Sequence, residues 1–288
     1  MTAGTQLRKN MAPTSLADKE QMETLPYKSL LGVLMYIANQ TRPDITYAVH
    51  RLAKYGNNPG MPHWEALVTV ARYVVSTQDM ALVFDGFESK LDLVGYSDAD
   101  WAGDEDVRKS TTGIVIKLGN ATVSWSSKQQ NCVALSSAEA EYLALGELTK
   151  EVVWIRKVLC DCGIKQSLST TIYSDNQAAI ALAEKDAPNK RTKHIDVKFR
   201  YIYDQIQNGN IEVNYKGTKE MIADALTKAV SKESAKMCAS GIGLRRQGGV
   251  LDMPTNQVNH DHGQGAPRNH GINTGARHSE RTWRIPRK

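Results

Sequence analysis

Apolar residues recur at helical spacing through the front of the chain. Leu30, Leu31, Leu34, Met35 and Ile37 form one stripe, and Ile45, Ala48, Val49, Leu52 and Ala53 form a second. Steps of three and four place each set on one face of a helix. Arg42-Pro43-Asp44 separates them, because proline disfavours helix at the residue before it. Asn57-Asn58-Pro59-Gly60 reads as a turn, and His63 to Val75 as a third helix. A small helical unit is therefore expected over 26–77, after a polar and flexible lead over 1–25.

The period then changes. Ala81 to Phe84 is a short apolar run, and Leu91 to Ala99 reads as the first strand of a larger domain. Thr112 to Leu118 is β-branched and apolar, Gly119-Asn120 is its turn, and Ala121 to Ser126 returns beside it, which argues for an antiparallel meander. A long helix follows, capped by Ser136 or Ser137 and stopped at Gly163. Thr170 to Tyr173 is a strand, Asn176 to Ala183 and Thr192 to Gln207 are helices, Ile211 to Tyr215 is a last strand, and Glu220 to Val230 a closing helix. The order β-β-β-α-β-α-α-β-α implies an α/β domain over 91–235, with a mixed sheet and helices packed on it. Residues 236–288 are expected to be a short terminal segment and then a disordered tail, since the apolar period dissolves after about Leu244. His260 and His262 in that tail lack the spacing of a metal site.

Composition narrows the class. The hydrophobic fraction of 41% and charged fraction of 23% suit a soluble globular protein. The net charge of +5 permits nucleic-acid binding without demonstrating it. The 4 cysteines fit neither a zinc pattern nor a disulfide framework, which favours a reducing compartment. No run is long enough to span a bilayer, and the first 26 residues lack a signal-peptide core.

Candidate chemistry lies in acids placed where solvated acids are not expected. Asp98 sits at the end of an apolar strand and Asp175 at the end of another. On the long helix, Leu145, Leu148, Val152, Ile155 and Leu159 define the buried face, and four residues back from Leu145 is Glu141. An acid on that stripe is costly without a compensating charge. Glu139, two residues earlier, points elsewhere and reads as solvated. Asp224 interrupts a mostly apolar short helix. Oxygen-only ligands suit magnesium, with manganese as an alternative. Each acid also has a plain structural reading as a cap or a surface group, and spacing alone does not show that four acids converge.

Longer motifs carry a resemblance. Tyr96-Ser97-Asp98-Ala99-Asp100-Trp101-Ala102-Gly103-Asp104 is followed by Arg108-Lys109-Ser110-Thr111-Thr112-Gly113 and Ser124-Trp125-Ser126-Ser127-Lys128-Gln129-Gln130. Leu135-Ser136-Ser137-Ala138-Glu139-Ala140-Glu141-Tyr142, Ser174-Asp175-Asn176-Gln177, Lys193-His194-Ile195-Asp196 and Ala223-Asp224-Ala225-Leu226-Thr227-Lys228 complete the series. From about residue 26 to 244 the chain resembles the reverse transcriptase–ribonuclease H region of copia-type LTR retrotransposon Pol polyproteins. The resemblance implies a ribonuclease H-like mixed five-stranded sheet flanked by helices, with Asp98, Glu141, Asp175 and Asp224 as metal-binding catalytic acids for two Mg2+ ions. It implies that 26–90 is the C-terminal connection segment of the reverse transcriptase. No Tyr-x-Asp-Asp motif is present, so polymerisation is not expected. The loop Tyr215 to Lys219 lacks the histidine of the cellular enzymes, and His194 is left without a catalytic role.

The implied reaction is hydrolysis of the RNA strand of an RNA–DNA hybrid, with the polymerase portion of the parent polyprotein as a further partner and no membrane. A catalytically inactive nucleic-acid-binding remnant is the alternative. Cytoplasmic particles are the implied location, with the nucleus also open. Arg108, Lys109, Lys128, Lys190, Arg191 and Lys193 are candidates for phosphate contacts. Trp125 suits either stacking on nucleic acid or the core.

Overall fold

The computed structural model describes residues 4–84, 91–166, 168–185 and 193–247, with only the backbone of 193–199 described. Lys190, Arg191, His260, His262 and the tail beyond 247 lie outside the described residues, as does the side chain of Lys193. All described residues belong to one compact unit.

The front is helical, as its apolar stripes predict. Helices α1 (Leu16–Glu23), α2 (Tyr27–Gln40), α3 (Thr46–Ala53) and α4 (Met61–Ser76) precede a short strand, β1 (Met80–Leu82). Leu31, Leu34, Ile45, Val49, Leu52, Leu67 and Val70 form their shared core. The lead is not featureless. Ser15 and Asp18 form a capping box that starts α1, and Leu7 is buried in the helical core. With one buried residue, Met22, α1 has no apolar stripe to betray it.

The sheet follows. Strands β2 (Leu93–Asp100), β3 (Thr111–Leu118) and β4 (Ala121–Gln129) form the meander. Then come α5 (Ser137–Asp161), β5 (Thr170–Ser174), α6 (Gln177–Ala183), α7 (Lys193–Gln207) and β6 (Ile211–Tyr215). The five-stranded sheet has the order β4-β3-β2-β5-β6. Pairs β2–β3 and β3–β4 are antiparallel, whereas β2–β5 and β5–β6 are parallel. This is the mixed, helix-flanked sheet of the ribonuclease H-like fold.

Alternation along β3 divides its side chains between two cores. Ile114 and Ile116 pack with Leu145, Leu148 and Val152 of α5 and with Ile202 of α7. Val115 points to the opposite side, against Met221, Ile222, Leu226 and Ile242. The helix expected over Glu220 to Val230 is instead two 3-10 turns, Thr218–Glu220 and Ile222–Leu226. Its hydrogen bonds span three residues, from Asp224 N to Met221 O and from Thr227 N to Asp224 O.

Beyond them lie α8 (Lys232–Ile242) and β7 (Leu244–Arg246), so the boundary expected between 235 and 236 falls inside a helix. Cys238, Ala239 and Ile242 are the buried residues of α8, and small residues among them weaken its apolar signal. Strand β7 pairs antiparallel with β1, from Met80 opposite Arg246 to Leu82 opposite Leu244. No described helix is long and apolar enough to cross a membrane.

Candidate active site

Two parallel strands bring the first two acids together. In the β2–β5 register Tyr96 lies opposite Tyr173. Two residues further along each strand come Asp98 and Asp175, at the carboxyl ends where ligands gather in such sheets. Asp98 is 2% exposed and pairs across the ladder with Gly113 of β3. Asp175 follows the last residue of β5. It does not cap the next helix, because Asn176 accepts that amide, from Ala179. The Asp175 carboxylate accepts instead from Thr218 Oγ1 at 2.6 Å.

The long helix supplies the third acid. Ser136 caps α5 through the Glu139 amide, and Glu139 accepts from Leu135 N at 2.7 Å. Glu141 faces inward and is 6% exposed. One of its oxygens accepts from Ala99 N at 3.1 Å, and the other is buried with no hydrogen-bond partner among the described residues. Asp98, Glu141 and Asp175 each offer one oxygen, and these atoms lie within 4.8 Å of one another.

Asp224 stands beside this cluster rather than within it. It is buried on the 3-10 turn Ile222–Leu226, and its Oδ1 is 2.5 Å from Lys228 Nζ. The same turn reaches Asp98 directly, because Thr227 Oγ1 donates to Asp98 Oδ2 at 2.5 Å. Gly113 permits that approach. A Cβ there would lie 2.8 Å from Ala223 O and from Thr227 Cγ2, and 2.9 Å from Leu226 Cβ.

Burial and mutual repulsion set the electrostatics of the cluster. Burial pushes the Glu141 carboxyl from 4.5 up to about 9, with the charges of Asp98 and Asp175 adding to the rise. Burial likewise pushes Asp98 up to about 6, against the Thr227 hydrogen bond and the Lys228 charge. Burial disfavours the Lys228 ammonium, yet its hydrogen bond to Asp224 and the charges of Asp98 and Asp175 raise its pKa overall. Close carboxylates of this kind ionise together only when a cation compensates them. An all-oxygen donor set with an unpartnered buried oxygen fits a hard divalent ion, and Asp98, Glu141 and Asp175 are the residues that would hold it.

Arg108 and Lys128 are exposed. Lys109 is half-buried and donates to Asn131 O at 2.7 Å. Lys193 opens α7. Trp125 is half-buried and ties the sheet to the helical front through Nε1 to Ala38 O at 3.0 Å.

Three residues given no role in the sequence reading lie beside the acids in the fold or in the chain. Thr227 and Lys228 belong to a recognised motif, but only the fold reveals that they face the acids. Trp101, 55% exposed, lies three residues beyond Asp98, with Nε1 donating to Ala134 O at 3.1 Å. An aromatic directly after a strand of acids was the available signal.

No protein-family model matches the chain. It is 41% identical over 238 residues to the retrovirus-related Pol polyprotein from transposon TNT 1-94 of Nicotiana tabacum, covering 83% of this chain and 18% of that one. It is 49% identical over 134 residues to secreted RxLR effector protein 161 of Plasmopara viticola, covering 46% of this chain and 94% of that protein. Among solved structures, LC11-RNase H1 in complex with an RNA/DNA hybrid overlaps 47% of this chain and 94% of its own, with a TM-score of 0.36 and 14% identity. The chain spans only 15% to 18% of the length of the curated Pol polyproteins it matches.

Proposed function

The chain belongs to the retrovirus-related Pol polyproteins of copia-type transposons, and from that premise we propose that it is a ribonuclease H-type endonuclease cutting the RNA strand of RNA–DNA hybrids. The observation that carries this reading is the convergence of Asp98, Glu141 and Asp175 from β2, α5 and the end of β5.

Each side chain has a task in this proposal. Asp98, fixed by Thr227, presents an oxygen at the strand end. Glu141, held through the Ala99 amide, offers an oxygen to the same cluster. Asp175, steadied by Thr218, closes the set. Asp224 flanks it and keeps Lys228 at the edge. Asp98, Glu141 and Asp175, with Asp224 alongside, would hold two divalent cations, magnesium or manganese, which would supply activation of a water and charge stabilisation of the leaving 3′ oxygen. Arg108, Lys109 and Lys128 orient the hybrid backbone, as do Lys190, Arg191 and Lys193. The polymerase portion of the parent polyprotein is the proposed partner that delivers the hybrid.

The test is cleavage of a labelled RNA–DNA hybrid in magnesium by wild type and Asp98→Asn. RNA-strand cuts that disappear in the variant support the nuclease and its site together. A folded wild type that binds hybrid and does not cut it would leave an inactive binding remnant as the correct description.

A further inference from the structure

The loop between β2 and β3, residues 101–110, is held in a shape that its sequence does not favour. Ala102 has φ 53° and Arg108 has φ 54°, both in the left-handed region without being glycine. Such residues persist where their surroundings over-determine them, and they gather at functional sites. The loop folds back on itself, with Asp104 N donating to Lys109 O at 3.2 Å and Arg108 N to Asp104 O at 2.6 Å.

What fixes it is a fully buried carboxylate. Asp104 is 0% exposed. Its Oδ2 receives the Lys54 ammonium, the Gln129 amide and Arg51 Nη1, the last at 3.2 Å. Its Oδ1 accepts from Asp106 N at 3.1 Å. Arg51 lies on α3 and Lys54 directly after it, so the clamp comes from the helical front. Two neighbouring acids of the loop are turned the same way. Glu105 pairs with Arg8, and Asp106 accepts from Lys9 N at 3.1 Å.

The loop is therefore two-sided. Its acids face the helical front, while Trp101, Val107 and Arg108 are exposed. Trp101 is three residues past Asp98, a strand distance of about 10 Å. Phosphates of one nucleic-acid strand advance about 3.4 Å along the helix axis, so a duplex seated on Asp98 passes Trp101 within a few nucleotides.

We propose that Arg51 and Lys54, acting through Asp104, are positioning residues for nucleic-acid binding: they hold the 101–110 loop so that Trp101 and Arg108 meet the backbone and sugar edges of the hybrid beside the acids. The helical front is then part of the substrate interface and not only a connection. This rests on the hybrid-cutting reading above.

The experiment is a double-mutant cycle on hybrid affinity in the full chain, with calcium replacing magnesium to suppress turnover. Wild type, Lys54→Met, Trp101→Ala and the double variant are compared by fluorescence anisotropy, with Lys54→Arg as the conservative control. Losing an aromatic contact to nucleic acid costs roughly ten-fold in affinity. Lys54→Met should lose most of that factor, the double variant should bind only slightly more weakly than Trp101→Ala alone, by what Arg108 contributes, and Lys54→Arg should bind like wild type. In magnesium, Lys54→Met should raise KM more than it lowers kcat. Unchanged affinity in Lys54→Met overturns the proposal. So does a loss that multiplies in full onto that of Trp101→Ala, since that is the signature of a missing charge alone. A wild type that binds no hybrid sinks the hybrid-cutting reading and this proposal with it, and is distinguishable because no variant then matters.

Discussion

Glu141→Gln should make the metal-free protein more stable at alkaline pH, although it deletes a proposed catalytic group. The folded-state carboxyl rises from 4.5 to about 9, so the folded chain holds this proton more tightly than the unfolded chain. The stability linked to it is complete below about pH 4.5 and is lost as the pH climbs towards about 9, at up to about 1.4 kcal/mol per pH unit. Near pH 8 the ceiling is ~5 kcal/mol; relaxation among neighbouring carboxylates reduces the expected loss to about 1–3 kcal/mol. Asp98, raised from 3.8 to about 6, adds a smaller loss of the same sign at lower pH. Glutamine keeps the shape and stays neutral at every pH. In EDTA the variant should therefore show a flatter profile and melt several degrees above wild type near pH 8, at about 2–4 °C per kcal/mol. Towards pH 5 the two curves should approach each other. Saturating magnesium should reverse the order, because an ion at a hundred times its Kd adds about 2.7 kcal/mol to a protein that binds it only when folded. Thermal melts across this pH range, with and without magnesium, make the comparison. A metal-free wild type whose melting temperature does not fall from about pH 5 to about pH 9 would refute the reasoning, as would a variant that falls as steeply.

Other perturbations test the parts around the acids. Gly113→Ala places a methyl 2.8 Å from Ala223 O and Thr227 Cγ2. It should cost about 1–3 kcal/mol in denaturant melts and lower hybrid cleavage at least ten-fold, since the turn carrying Thr227 and Asp224 must retreat. Lys228→Met removes the cation 2.5 Å from Asp224. It should lower metal-free stability by about 0.5–1 kcal/mol and tighten manganese binding several-fold in calorimetry; equal affinities would show that the ammonium does not oppose the ion.

Much of this arrangement was legible in the sequence where one period dominated. The stripe from Leu145 to Leu159 placed Glu141 inward, and the cap at Ser136 set the start of its helix. The antiparallel meander of β2, β3 and β4 followed from β-branched runs and from Gly119-Asn120. What periodicity could not supply was distance across the fold. That Asp98 and Asp175 meet depends on a parallel register of β2 and β5, which no spacing encodes. The Asp104 clamp joins partners 50 and 25 residues away, and none of them breaks a local pattern. Helix α1 and strand β7 were missed for another reason. Each is short and buries little, so its order comes from a capping box in one case and a strand partner in the other. The segment carrying Asp224 read as a helix, yet it forms a tighter turn pressed onto β3 where Gly113 leaves room.

The pairing of β1 with β7 has a consequence for how such a unit travels within longer chains. Met80 and Arg246 are ladder partners, so the polypeptide enters the nuclease region and leaves it through the same doorway. Partnered strands lie only about 4.8 Å apart. Sequence spliced on at either side of that doorway need not cross the sheet or the acids. A unit with adjoining entrance and exit can be moved between hosts as a cassette, so long as the helical front that clamps Asp104 travels with it.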